Sequence, residues 1–252
     1  MSISENKSKS IGLIFEPNFF TAHFYSDPEG KNHVLSRNYK EHKPPSLEVE
    51  AEVSPLFAIY SNVNWTLVPR SVFRPEDSTR YLKLNTGFDG EGTADSVEVP
   101  RIESTLVYER DRKAEDISKN LHPSLITRPL ILPLLNYASI LAETGFPDLI
   151  HLHVRDKIAY IIIMSNKKLL LANSLEVKKP TDLDYFVFYV MKKLGISAQT
   201  PFFFSSYGSE NTKLSDRVSE RLANQKDLGI YRDKDKKIEE VDLLALIAPE
   251  CA

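Results

Sequence analysis

The chain holds a single cysteine, Cys251, one residue from its end. That excludes a disulfide within one chain and any zinc site built on several thiolates, and it fits a reducing compartment. Glycine is sparse, nine in 252 residues, so loops whose bare backbone amides could close on a phosphate are few. No apolar run approaches the roughly 20 residues that span a bilayer; Ile158 to Met164, as long as any, has seven. The opening MSISENKSKS is polar and lacks a signal-peptide core. These absences predict a cytoplasmic protein without membrane insertion. Positive charge is not in excess either: 32 Lys and Arg stand against 35 Asp and Glu, a net charge of -3. Without a global positive field to release counterions from a polyanion, no nucleic-acid partner is expected.

What is present is enough apolar material for a core, 42% of the chain, arranged in short β-rich runs. After a polar start read as disordered (residues 1–10), SIGLIFE, FFTAHFYS and HVLSRNYKE give strands separated by the turn signals EPN and SDPEGKN. LFAIYSN, NWTLVP, STRYLKLN and STLVYER read as further strands, the last after a long polar loop. In SLITRPLILPLLNYASILAETG a helix is expected to begin near Pro133 and to end before Gly145.

The meander pattern returns in DLIHLHV, KIAYIIIMS and KLLLANSLEV. A helix over about Asp182 to Leu194 follows, with Thr181 as its cap, lysines in its last turn and Gly195 after it. Its spacing predicts burial of Phe186, Val187, Val190 and Met191. The run Tyr185 to Met191 is apolar nearly all round, which reads as core. TPFFFSSYG gives another strand, and TKLSDRVSERLANQ and KKIEEVDLLALIAP give two more helices. A three-strand opening in each half, from near Ile11 and near Leu149, implies a duplicated unit. The predicted domains are residues 1–145 and 146–252, each an α/β lobe, the second with a terminal helix.

Three antiparallel strands followed by helix, strand and helix, occurring twice, resembles the wiring of the actin-like ATPase superfamily, whose unit is ribonuclease H-like. The stretch Pro55 to Asn85, with Asn62, Trp65, Thr66, Leu67, Val68 and Pro69 at its centre, is similar to the signature of an uncharacterised bacterial family, a domain-of-unknown-function group with that fold. The resemblance implies duplicated actin-like, ribonuclease H-like lobes of mixed sheets with helices on their faces. It implies a cleft to which Glu16, Asn18, Asp156 and Gly208 would belong. In ATP-binding members the first hairpin of each half reads roughly Asp-x-Gly-Thr/Ser, with a carboxylate for magnesium and a glycine freeing amides for phosphate. Here the first hairpin reads FEPNFF, with Glu16 at the acidic position and Pro17 beside it removing an amide donor. The second reads VRDKIA, with Asp156 between two cations and no glycine.

Other chemistries leave weaker traces. The loop Thr86 to Ser96 is glycine-rich but has no lysine in Walker order, and Asp89, Glu91 and Asp95 would repel phosphate; Pro100 falls where a calcium loop needs a bidentate glutamate. It reads as a hairpin loop. His151 and His153 share one strand face, where a third metal ligand is not in view; the reading preferred is two histidines on the polar side of a half-exposed strand. A two-metal nuclease would need several converging carboxylates; Glu16 is suitably placed, while Asp182 and Asp184 suit a helix start. No nucleophile-elbow, Walker or HExxH pattern occurs. The expectation is a non-enzymatic protein-interaction or scaffold module on a degenerate actin-like fold, with a protein partner and no cofactor. The alternative is an ATPase with unorthodox loops, using Glu16 or Asp156 toward magnesium.

Overall fold

The computed structural model describes residues 9–15, 19–25, 33–38, 53–121, 123, 125–155, 157–207 and 225–231. The chain packs as two compact units, one of Met1–Ser61, Arg110–Leu130 and Ala245–Ala252, the other of Asn62–Glu109 and Ile131–Leu244.

In the first unit, β1 (Lys9–Phe15), β2 (Phe19–Tyr25) and β3 (His33–Asn38) form the expected antiparallel meander. β4 (Val53–Tyr60) then lies parallel to β1. A three-residue strand, β8 (Thr127–Pro129), lies parallel to β4 and completes the order β3-β2-β1-β4-β8. β8 falls inside a stretch of helical appearance. Its Pro129 is tolerated because the strand is at the sheet edge, where a missing amide breaks no ladder. Between β4 and β8 the chain also forms α2 (Arg112–Leu121). Asp111 starts this helix by accepting the Ala114 N–H through Oδ1 (3.0 Å), and the Arg110 fork pairs with Glu115 in its first turn.

The second unit repeats the plan. β9 (Leu149–Arg155), β10 (Ile158–Ser165) and β11 (Lys168–Glu176) are an antiparallel meander. β12 (Phe202–Tyr207) runs parallel to β9, and β13 (Gln225–Tyr231) parallel to β12, giving β11-β10-β9-β12-β13. β13 was hidden in QKDLGIY, whose charges and glycine are unlike a strand pattern. The helices expected over TKLSDRVSERLANQ and KKIEEVDLLALIAP lie outside the described residues, except Gln225, which opens β13.

β9 is buried on both faces, as a strand with a neighbour on each side and layers above and below must be. One face, with Ile150, Leu152 and Val154, joins Ala159, Ile161, Ile163, Phe202 and Phe204 in a core closed by α4 (Pro180–Leu194). The α4 residues buried in that core are Leu183, Val187, Val190 and Met191; Phe186 is only half-buried and packs against its side. The helix is not apolar all round: Tyr185 and Tyr189 face solvent. It also starts earlier than expected, with Pro180 in its first turn and Asp182 Oδ2 accepting the Lys179 N–H at 2.9 Å, so Thr181 is not the cap. Gly195 ends it in the left-handed region (φ 66), with the Ile196 N–H donating to the Met191 carbonyl at 2.8 Å.

The same unit contains a small antiparallel sheet of β5 (Trp65–Pro69), β6 (Ala94–Val99) and β7 (Ser104–Glu109), ordered β5-β7-β6. Against it packs α1 (Ser78–Asn85), through Leu82 with Val68, Phe88 and Val107. Residues 78–85 were expected as a strand. The Pro-Glu-Asp-Ser stretch before them is a helix-start pattern that outweighs the β-formers. α3 (Ile131–Thr144) begins near the expected proline and buries most of its length, including Asn136 and Ser139.

Candidate functional site

The two hairpins at the head of each sheet are where the sequence places its candidate site. In the first, Phe15 pairs with Phe20; in the second, Arg155 pairs with Ile158, leaving only Asp156 and Lys157 to turn the chain. Glu16, Asn18, Asp156 and Gly208 themselves lie outside the described residues. The flanks of the second hairpin are well defined. Lys157 is exposed, and its carbonyl accepts the Val177 N–H at 2.6 Å. Arg155 is not a surface cation: its side chain is 0% exposed, drawn into the unit beside the strand it ends.

Behind that turn, the second face of the sheet carries a polar cluster. His151, His153 and Arg155 alternate along β9, Tyr160 faces His153 from β10, and Ser205 faces it from β12. The histidines are 1% and 0% exposed, so the reading of a half-exposed polar strand face is wrong. The strand is roofed on this side: the Tyr137 ring of α3 meets His151 edge-on at 5.7 Å, and Phe146 meets Phe203 likewise at 5.0 Å. His151 Nε2 and His153 Nδ1 both hydrogen-bond Ser205 Oγ, at 3.2 and 2.8 Å. The hydroxyl has one proton, so it donates to one ring and accepts from the other, coupling the two tautomers. Burial lowers the His151 pKa to about 4. His153 is pushed well below the usual value, first by burial and then by the charges of His151 and Arg155. Both rings are therefore neutral at pH 7. Burial also raises the Tyr137 hydroxyl. Among the described residues, no group of three or more His, Cys, Asp or Glu could hold a metal ion.

Tyr160 links this cluster to the signature stretch. Its hydroxyl accepts the Asn62 N–H (3.1 Å) and donates to the Asn62 carbonyl (3.0 Å). Asn62 Nδ2 donates to the Glu109 carbonyl (2.9 Å), and Asn64 Nδ2 to Glu109 Oε2 (2.7 Å). The Glu109 N–H returns to the Asn64 carbonyl at 2.9 Å. The two asparagines thus tie the start of β5 to the end of β7, and Trp65 and Val68 of β5 are buried. Asn62 and Asn64, from the signature and beside it, hold a junction together. Sequence reasoning missed Tyr160, Ser205, Asn64 and Glu109. The available signal was the alternation of polar residues in β9 together with the serines that follow three phenylalanines in β12.

Two mixed five-stranded sheets of identical order, each an antiparallel meander extended by two parallel strands, define the class as the actin-like ATPase fold. Over residues 27–220 the chain matches the family described as "protein of unknown function (DUF3822)", and it belongs to that family. Among solved structures it is similar to a Bacteroides thetaiotaomicron protein with actin-like ATPase fold and unknown function. That match has 16% identity, covers 95% of this chain and 96% of the other, and has a TM-score of 0.70. More distant are a chain of the PilM-PilN type IV pilus biogenesis complex (14% identity, 96% and 98% covered, TM-score 0.49) and the ethanolamine utilization protein EutJ from Carboxydothermus hydrogenoformans (12% identity, 97% and 90% covered, TM-score 0.47). At 16% identity the first of these likenesses is one of fold. No curated protein matches the sequence. No helix among the described residues is long and apolar enough to cross a membrane.

Proposed function

We propose that the protein is a non-enzymatic interaction module, an actin-like fold whose hairpins no longer serve a nucleotide. The observation that carries this reading is the second hairpin. Its register closes on Asp156 and Lys157, both with side chains, and the arginine beside them is buried in the unit. A phosphate held by main-chain amides needs a loop that can wrap it, with glycine where backbone and anion meet. A turn of minimal length reverses the chain and offers no such wrap. The first hairpin adds Pro17, which has no amide to give.

A protein purified under native conditions should contain no adenine nucleotide above background when denatured and analysed by chromatography. It should also release no phosphate from Mg-ATP beyond the uncatalysed rate. Stoichiometric bound nucleotide would favour the ATPase reading, with Glu16 and Asp156 at the metal.

A further inference from the structure

We infer that the outer face of α4 is the docking surface of this module and that its occupant is an acidic protein segment carrying apolar or aromatic side chains. The inference rests on the interaction-module reading for its biological sense, and on the helix surface for its chemistry.

The inner stripe of α4 is consumed by the core, as described. The outer stripe is Tyr185, 72% exposed, and Tyr189, 46% exposed, one turn apart. Their rings stack with centroids 5.8 Å apart and planes 19° from parallel, and Lys193 Nζ stands 5.6 Å from the Tyr189 centroid. An isolated exposed tyrosine needs no explanation. An ordered pair along one stripe is different, because stacking and the cation hold the rings in place before a partner arrives, which lowers the entropy cost of docking. Tyrosine is the side chain that supplies broad contact area with a polar rim.

The charge around the stripe has one dominant sign. Lys178 and Lys179 precede the helix and Lys192 and Lys193 end it, all exposed. Of the acids on α4, Asp182 is engaged with the Lys179 amide and Asp184 is 7% exposed; the exposed Glu176 belongs to the end of β11. In a chain of net charge -3, this is a local basic and aromatic face, complementary to an acidic partner segment. A nucleic acid fits less well. Tyr189 lies between Tyr185 and Lys193 at i, i+4 spacing, so its ring is engaged along the helix and is a poor platform for a base.

The test uses the full chain and, as probes, a fluorescent random copolymer of glutamate and tyrosine, polyglutamate, and single-stranded oligodeoxythymidine. Anisotropy should show the copolymer binding more tightly than polyglutamate and the oligonucleotide. Affinity should fall about tenfold or more in Tyr185→Ser/Tyr189→Ser and in Lys192→Glu/Lys193→Glu. Tyr185→Phe/Tyr189→Phe should bind like the parent, a control for any serine variant that melts early. Absence of copolymer binding, binding unchanged in both loss variants, or stronger oligonucleotide binding lost in the same variants would overturn the inference. So would concentration-dependent self-association that the serine pair abolishes, which would give the face to a second copy. A chain that ignores both copolymer and Mg-ATP loses this surface and keeps the non-enzymatic reading; a chain that binds Mg-ATP loses the latter, whatever the copolymer does.

Discussion

His151 and His153 share the Ser205 hydroxyl, and their burial makes the pair sensitive to acid. In the unfolded chain a histidine takes up a proton near pH 6.5. In the folded unit His151 waits until about pH 4, and His153 too is held well below the usual value. Between those values the unfolded state binds protons that the native state does not, so stability falls as pH falls through that window and is flat above it. The two sites together predict a loss of about 2–3 kcal/mol between pH 7.5 and 5.5. Urea melts at the two values would read it as a lower midpoint, and equal midpoints would show that the histidines are solvated. Tyr160 is the second residue whose removal should be felt. Tyr160→Phe strips the Asn62 amide and carbonyl of their shared partner and should cost about 1–3 kcal/mol in chemical denaturation. The histidines were visible in the sequence as a pair on one face. Their burial was not, because exposure depends on α3 arriving above them from elsewhere in the chain.

Elements with a strong local signal were legible, and those whose signal is weak or overridden were not. The meander strands, α3 and α4 announce themselves by runs of β-formers, helical spacing, proline at a first turn and glycine at an end. α1 did not, since Tyr81, Leu82 and Leu84 suit a strand equally, and the deciding Pro75-Glu76-Asp77 start lies outside the apolar run. β8 and β13, the last strand of each sheet, are too short or too charged to stand out; they exist because β4 and β12 present open edges for them. α4 provides the cleanest test of the packing. Leu183→Ala should cost about 2–5 kcal/mol, as expected for a side chain with no exposure in a filled core, whereas Phe186→Ala, half out of it, should cost less. The reverse order in thermal or urea melts would mean that the helix is rotated from the orientation described. At its end, Gly195→Ala forces a Cβ into the left-handed region (φ 66) and should cost about 1 kcal/mol.

At the scale of the molecule, the sequence carried the duplication through its order of elements alone, with no repeat of residues, and the two sheets of identical strand order bear that out. The candidate cleft residues rest on analogy with ATP-binding members of the fold and lie outside the described residues; the polar junction of Tyr160, Asn62 and Glu109 was not legible at all, because its partners are far apart in the chain. The central claim is that this fold is kept without its nucleotide. It is tested most directly by a thermal melt of the intact chain with and without millimolar Mg-ATP. A specific ligand at about 100 times its dissociation constant adds about 2.7 kcal/mol, a shift of roughly 5–10 °C for a chain of this size. The account predicts no shift; a rise of that size, abolished when Glu16 and Asp156 are both replaced by alanine, would contradict it and give the hairpins back their nucleotide.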